Sequence, residues 1–508
     1  MNRTIKFLTT LCLGAMLLPV GARAQYKDDV DTTRGDSTVV VLTLEDALKI
    51  ALSENVPVKV ADLEVERTQY AKKGTYAALF PQITASGSYQ RTIKKQVMYM
   101  DNDDGGGMAS MFTSIFAPIY TALSQLSEGT GIPVDLTPDE GSMNNNNSGG
   151  ISVGRWNTFN GGVSATLPLV NFQLWKSIAI SGDAVELAVE QARSSRLDMV
   201  TQVKQAFYAV LLAKEVFEVY KSVYENAVDN FGQTEKRFKA QKASELEYTR
   251  AKVNVANAIP NVYTAESQII IALWQLKAVM GVDLDMDVEV AGSLSDYSTQ
   301  MFRDIHENDD VTLEHNTTMR QLAIQAEQLA ETIKLQKYAF LPTLTASFSY
   351  SQNAMTNDFH FNEFQWTPYS FVGLNLSIPI FTGGKRIFDV KQARIQADKL
   401  DLQRVNTERQ LKIAIRQHLT TMEANMKNYD TASEAVALAR KAYDVQFKSY
   451  SLGKSTLTDL NDSQLALTQS ALSQSQAVYN FLVAKSNLEQ ILGHDFINEE
   501  GEVDLDNM

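Results

Sequence analysis

Cysteine is almost absent. Cys12 is the only one among 508 residues, and it sits in a short apolar run over 7–20. Arg3 and Lys6 precede that run, and Ala22-Arg23-Ala24 follows it as a small-x-small cleavage site before Gln25. These parts in order predict an export signal over 1–24 that is removed. Thr10 and Leu11 stand where a lipid-modified cysteine needs small residues, so no lipid is expected on Cys12. The mature chain then has no cysteine, which excludes disulfides, thiolate metal sites and a cysteine nucleophile. Long hydrophobic runs are missing too: nothing past the signal reaches the roughly 18 apolar residues of a membrane-spanning helix. Basic charge is in deficit. Without Arg3, Lys6 and Arg23 the chain keeps 43 basic against 60 acidic residues, a net charge of −17, so nucleic acid is a poor partner. No P-loop, GxSxG or HExxH pattern occurs, and His306, His315, His360, His418 and His494 are scattered, each reading as a surface residue.

Proline is scarce where helices need it to be. All eleven prolines lie at or before Pro379, and none lies between Pro168 and Pro260. Proline breaks helix interiors, and the proline-free windows are rich in Ala, Leu, Gln, Glu, Lys and Arg, all good helix formers. Helices are predicted over 43–80, 171–240, 243–281, 300–341, 385–449 and 455–492. A run of about 65 residues would be roughly 100 Å long at 1.5 Å per residue. That length implies coiled-coil packing, and the Ala-rich apolar faces allow close approach. Helices alone leave a soluble coiled-coil rod open.

What remains includes strands. Thr343-Leu344-Thr345-Ala346-Ser347-Phe348-Ser349-Tyr350-Ser351 alternates without a fault, as does Val372-Gly373-Leu374-Asn375-Leu376-Ser377-Ile378. The same alternation runs through 83–90 and 163–167. It gives each strand one apolar and one uncharged polar face. A membrane β-barrel has this pattern, and so does a half-buried soluble hairpin. On the barrel reading Leu344, Phe348, Leu374 and Ile378 face lipid, while Thr345, Ser347, Asn375 and Ser377 face the lumen.

The elements are duplicated. Phe80-Pro81-Gln82-Ile83-Thr84-Ala85-Ser86-Gly87-Ser88-Tyr89 matches Leu341-Pro342-Thr343-Leu344-Thr345-Ala346-Ser347-Phe348-Ser349-Tyr350 at six of ten positions. Leu167-Pro168-Leu169 matches Ile378-Pro379-Ile380, and 276–283 matches 488–495. Each half therefore reads helix, strand, strand, long helix, shorter helix. The halves span 25–295 and 296–495, and an acidic tail covers 496–508. The first half has the longer strand–strand loop, 91–157. In it Asp101-Asn102-Asp103-Asp104-Gly105 falls short of a calcium loop, because Phe112 stands where a glutamate ligand is needed; no metal is expected. Residues 111–126 read as a short helix within that loop. Four barrel strands per chain cannot close a membrane barrel of eight or more, and open edges cannot face lipid. Oligomerisation follows: two copies give eight strands and three give twelve, and geometry alone leaves both open. A self-sufficient porin would need more strands.

At this point the chain resembles the TolC-like outer-membrane factors over nearly its whole mature length. The matching pieces are Leu42-Thr43-Leu44-Glu45-Asp46-Ala47 with Ala51 and Asn55, the two Pro-led strands, Ile378-Pro379-Ile380-Phe381-Thr382-Gly383-Gly384-Lys385-Arg386, and Tyr450-Ser451-Leu452-Gly453-Lys454-Ser455-Thr456-Leu457-Thr458-Asp459-Leu460-Asn461-Asp462. The resemblance implies a mainly α chain with membrane β strands. It implies a homotrimer: a twelve-stranded β-barrel in outer-membrane lipid, continued by a long α-helical barrel across the periplasm. It implies docking to a periplasmic adaptor and an inner-membrane transporter, passive export of drugs or small molecules, and no cofactor. Protein secretion uses the same body and stays open. The family's aspartate rings fall on Asp459 and Asp462, its gate tyrosine on Tyr450, and that tyrosine's acidic partner on Glu247. The gate-arginine position holds Ser455. Gly453, Lys454, Gln241 and Lys242 fall on the helix tips that would meet the adaptor, with Gln241 in place of the glycine that the second tip keeps as Gly453.

Overall fold

The structure is a computed structural model and describes residues 40–98, 151–298, 301, 312–360 and 364–493. The expected signal over 1–24, the segments 101–105 and 111–126 and the tail 496–508 lie outside them. In chain order the elements are β1 (Val40–Leu42), α1 (Leu44–Glu54), α2 (Val56–Ala77), β2 (Gln82–Arg91), β3 (Gln96–Met98), β4 (Ile151–Val153), β5 (Asn157–Val170), α3 (Phe172–Lys239), α4 (Glu245–Met280), β6 (Val288–Val290), α5 (Leu294–Ser298), α6 (Thr317–Tyr338), β7 (Thr343–Thr356), β8 (Thr367–Ser377), α7 (Lys385–Ser451) and α8 (Leu457–Leu492). Helix α3 has 68 residues and α7 has 67, each about 100 Å long. Among the described residues no helix is long and apolar enough to cross a membrane.

Two expected helices begin or break elsewhere. The one over 43–80 is two helices that meet at Asn55, and in the one over 300–341 the described residues 312–316 are not helical, so α6 starts at Thr317. The cause is the same in both halves. Asn55 and Asn316 hold extended backbone, and the Oδ1 of each accepts from the backbone N–H three residues on, capping a helix of 22 residues. The Nδ2 of Asn55 donates to the Val279 carbonyl at 2.7 Å, and that of Asn316 to the Ile491 carbonyl at 2.6 Å. Each asparagine thus joins the start of a short helix to the end of another, α2 onto α4 and α6 onto α8. The stacked pairs reach about as far as the unbroken α3 and α7. Gly281 ends α4 at φ 77°, and a Cβ there would lie 2.7 Å from the Glu54 carbonyl oxygen. Gly493 ends α8 at φ 71° against the His315 carbonyl in the same way. Only glycine fits either junction. Pro260 lies inside α4 and is exposed, so the helix runs on at the loss of one backbone bond.

The sheet runs β2-β5-β7-β8, antiparallel throughout, and the expected loop over 91–157 adds a small β3-β4 ladder. The helices follow the same left-to-right order. Next to the sheet α2 packs on α3, α3 on α6 and α6 on α7; beyond the asparagine junctions α4 packs on α3, α3 on α8 and α8 on α7. Buried Ala251, Ala258, Ala265 and Ala272 recur every seven residues along α4 and let it approach its neighbour closely. The parallel β1-β6 pair, α1 and α5 wrap the middle of the row. There the largest core gathers Leu48, Phe207, Leu211, Leu276, Met280, Phe481 and Leu488.

Candidate functional site

Two regions could carry function: the helix tips and the sheet faces. At the tips, α3 turns into α4 and α7 turns into α8 by the same construction. The N–H groups of Gln241 and Lys242 donate to the carbonyls of Phe238 and Arg237 at 2.9 and 2.8 Å. Those of Gly453 and Lys454 donate to Tyr450 and Ser449, both at 2.9 Å. Both turns need a left-handed residue. Gly453 supplies it at φ 77°, and Gln241 takes it too, at φ 58°. The replaced glycine therefore leaves the first tip's backbone shape intact.

Each tip then opens its next helix with a capping box. Ser244 and Glu247 cap α4; Thr456 and Asp459 cap α8. Asp459 accepts from the Thr456 hydroxyl at 2.7 Å and from its backbone N–H at 3.1 Å. These bonds hold its carboxyl below the usual aspartate range. Asp459 and Asp462 are both exposed, one turn apart on α8. Asp462 lines a groove of about 650 Å³ between α3, α4 and α8, with Asn254, Asn257, Asn261 and Asn461. Gln241, Lys242, Gly453 and Lys454 are all exposed at the turns.

Tyr450 and Glu247 are not brought together. Glu247 is held by the Ser244 N–H at 3.2 Å, because the third position of a helix draws an acid back to its own cap. Tyr450 is fully buried, and its hydroxyl lies 2.6 Å from the Thr234 hydroxyl on α3. Thr234 donates its own proton to the Asn230 carbonyl at 2.7 Å, so Tyr450 is the donor. An arginine does stand beside Tyr450, but it comes from α3. Arg237 donates to the Tyr450 carbonyl at 3.1 Å, and its guanidinium lies 4.9 Å from the ring centre. Sequence reading missed Thr234 and Arg237. The available signal was a basic residue in the last turn of a long helix, where it meets free carbonyls. Of the described histidines, His315 and His360 are exposed as expected; His418 is half-buried, because it lies on the packed side of α7, and burial lowers its pKa.

In the sheet the alternations of all four strands are in phase. Ile83 pairs with Ala165, Ala165 with Phe348 and Phe348 with Val372. One step along, Thr84, Ser164, Ser349 and Phe371 form the next row. Thr345 pairs with Asn375, and Leu344 with Leu376. Directly opposed residues share a face, so Leu344, Phe348 and Leu374 lie on one side and Thr345, Ser347, Asn375 and Ser377 on the other. Ile378 lies just past the end of β8. The outer end of the apolar side is aromatic: Tyr89 and Phe159 have ring centres 4.8 Å apart.

A profile of outer membrane efflux proteins matches residues 133–282 and 310–494. The chain belongs to the outer membrane efflux protein family. It is 22% identical over 402 residues to the outer membrane protein TolC of Escherichia coli K12, covering 77% of this chain and 79% of TolC. It is 22% identical over 352 residues to the alkaline protease secretion protein AprF of Pseudomonas aeruginosa, covering 68% and 70%. The solved outer membrane protein VceC of Vibrio cholerae superposes with a TM-score of 0.65 at 15% identity, covering 89% of this chain and 96% of that one. The fold is thus that of TolC-like channels. As an efflux-family protein the chain works at the outer membrane, with its long helices reaching into the periplasm.

Proposed function

We propose that this chain is the exit duct of a tripartite efflux assembly, closed into a ring by three copies. The observation that carries the reading is the matched pair of open edges. The sheet ends at β2 and β8, and the helical row ends at α2 with α4 on one side and α7 on the other. Unpaired strand edges cannot face lipid. Exposed apolar side chains line both helical edges: Val60, Leu63 and Tyr263 on one, Ile395, Leu402 and Ile413 on the other. Within the chain, α3 already packs on the second half much as α7 would pack on the first half of another copy. Three copies give twelve strands, a barrel whose in-phase polar faces line water.

On this reading the tips form the periplasmic mouth. Asp459 and Asp462 from three chains stand around it, and the Tyr450–Thr234 and Arg237 contacts keep each tip pair together. The exposed turns at Gln241, Lys242, Gly453 and Lys454 meet a periplasmic adaptor, which links the duct to an inner-membrane transporter. The likeness to AprF supports a second reading, a duct for secreted protein, built on the same body. Mass measurement in detergent and single-channel recording test the proposal. The expected result is a trimer whose cation selectivity falls when Asp459 and Asp462 are both changed to Asn. A folded monomer, or unchanged selectivity in that variant, sinks the ring or its charged mouth respectively. Which class of transporter co-purifies separates the two cargo readings.

A further inference from the structure

The polar side of the sheet carries two rings that its alternation does not call for. Phe371 pairs with Ser349, and Tyr369 with Ser351; the rows continue on β5 as Ser164 and Gly162. Both rings therefore project on the side of Thr345, Ser347 and Asn375, away from Phe348, Val372 and Leu374. They are the only aromatic side chains on that side among the described strand residues. Their ring centres are 5.8 Å apart, and Tyr369 and Phe371 stay 60% and 44% exposed. A Cβ placed on Gly373 would lie 3.8 Å from the Phe371 ring, so that ring leans along the strand over the glycine.

We propose that Tyr369 and Phe371 are specificity residues of the duct, an aromatic ledge on its inner wall that takes flat aromatic cations. The proposal rests on the reading of the polar side as the lumen. Two rings with few rotatable bonds offer stacking area at little entropic cost. Their faces carry negative charge density and attract cations. The residues paired beside them on β7 and β5 are serines and glycine, all uncharged. The whole chain has 60 acidic against 46 basic residues, which biases the passage toward positive cargo. A flat anion meets the same rings without the charge attraction and against the net field.

The test uses the full chain in lipid nanodiscs and the planar cation ethidium, followed by fluorescence anisotropy. The double variant Tyr369→Leu with Phe371→Leu keeps apolar bulk but removes both rings. It should bind ethidium at least about fivefold more weakly, the sum of two exposed ring contacts. Val372→Ser, on the opposite side of the same strand, should bind as the parent does. A planar anionic dye of similar size should bind the parent at least about fivefold more weakly than ethidium. Unchanged ethidium binding in the double leucine variant overturns the ledge and leaves the rings as cover for Gly373. Equal binding of the anion overturns the cation preference. If the double variant does not assemble, Phe371→Leu alone is read, with about a twofold loss expected and no loss overturning the proposal. Labelling by a charged maleimide checks the lumen reading separately. Tyr369→Cys should react and Leu374→Cys should not; the reverse pattern removes the barrel assignment itself, independently of any dye result.

Discussion

The middle of the helical row and its tips are built from the same helices but held by different forces. At the middle, Phe207, Leu211, Leu276, Phe481 and Leu488 are almost fully buried and interlock α1, α3, α4 and α8. At the tips the buried set shrinks to Ala251, Tyr443, Tyr450, Leu457 and Leu460. What the tips lack in apolar burial they replace with directional contacts: two capping boxes, the Tyr450–Thr234 bond and Arg237. Apolar packing resists any opening, whereas a few hydrogen bonds can be exchanged one at a time. On the proposed reading, a duct that opens at its helix tips needs this division, with a fixed belt and a looser mouth.

The largest effect that would break the comparison is on the belt. Phe207→Ala should cost about 3–5 kcal/mol, because the site is enclosed on every side. Denaturant unfolding of the detergent-held protein measures it. Leu460→Ala, in the tip cluster, should instead raise hydrogen exchange around the α7–α8 turn and leave the main transition nearly in place. A main transition moved equally by both changes would mean that belt and tips unfold as one unit.

Charge pairs make the same contrast on a smaller scale. Lys204 and Glu489 meet at 3.0 Å inside the belt, with the lysine side chain only 4% exposed. Burial pushes the Lys204 ammonium below its usual range, and Glu489 partly offsets this. Lys204→Met strands the carboxylate beside Lys485 alone and should cost about 3 kcal/mol. The exposed Lys239–Glu235 pair near the first tip should contribute less than about 1 kcal/mol. The folded pKa of Lys204 lies below the ordinary lysine value of 10.5. Between those two values the unfolded chain holds a proton that the folded chain has released, so this group's contribution to stability rises with pH across that window. The parent should show the rise relative to Lys204→Met; a flat difference would mean that Lys204 titrates normally.

Tyr450→Phe removes the hydroxyl that joins α7 to Thr234 of α3 at the tips. Thr234 then loses a donor in a buried place, for about 1 kcal/mol. Exchange in the tip should quicken and resting conductance should rise, while the belt is untouched. An unchanged tip would assign the closure to Arg237 instead.

How much of this could be read in the sequence depends on range. The strands and the two longest helices are local patterns of period 2 or 3.6, and the duplication is a direct match between short segments, so all are legible. The asparagine junctions are not, because Asn55 and Asn316 act by reaching carbonyls 224 and 175 residues away. Tyr450, Asp459 and Glu247 were singled out by resemblance, yet their observed partners follow from chain geometry. A third-position acid serves its own cap, and a buried tyrosine takes the nearest hydroxyl. Arg237 carries the local signal of a basic residue in a last turn, whereas nothing in a 68-residue helix marks Thr234 as the hydroxyl that will face Tyr450.

The smallest effect tests whether the two tips are truly interchangeable. Gln241 and Gly453 sit at equivalent positions with φ of 58° and 77°. The left-handed region costs a non-glycine residue about 1–2 kcal/mol, and glycine gives back about 0.5–1 kcal/mol of that through its freer unfolded state. Gln241→Gly should therefore stabilise the first tip by about 0.5 kcal/mol. Gly453→Gln should destabilise the second by a similar amount. Space is not the obstacle: a Cβ on Gly453 would meet only the Arg237 guanidinium, at an ordinary 3.7 Å. Thermal unfolding and tip-local hydrogen exchange should show opposite signs for the two changes and near-cancellation in the double swap. If Gln241→Gly loosens the first tip instead, then the exposed glutamine makes contacts that outweigh its backbone strain, and the tips are alike in trace but not in energy.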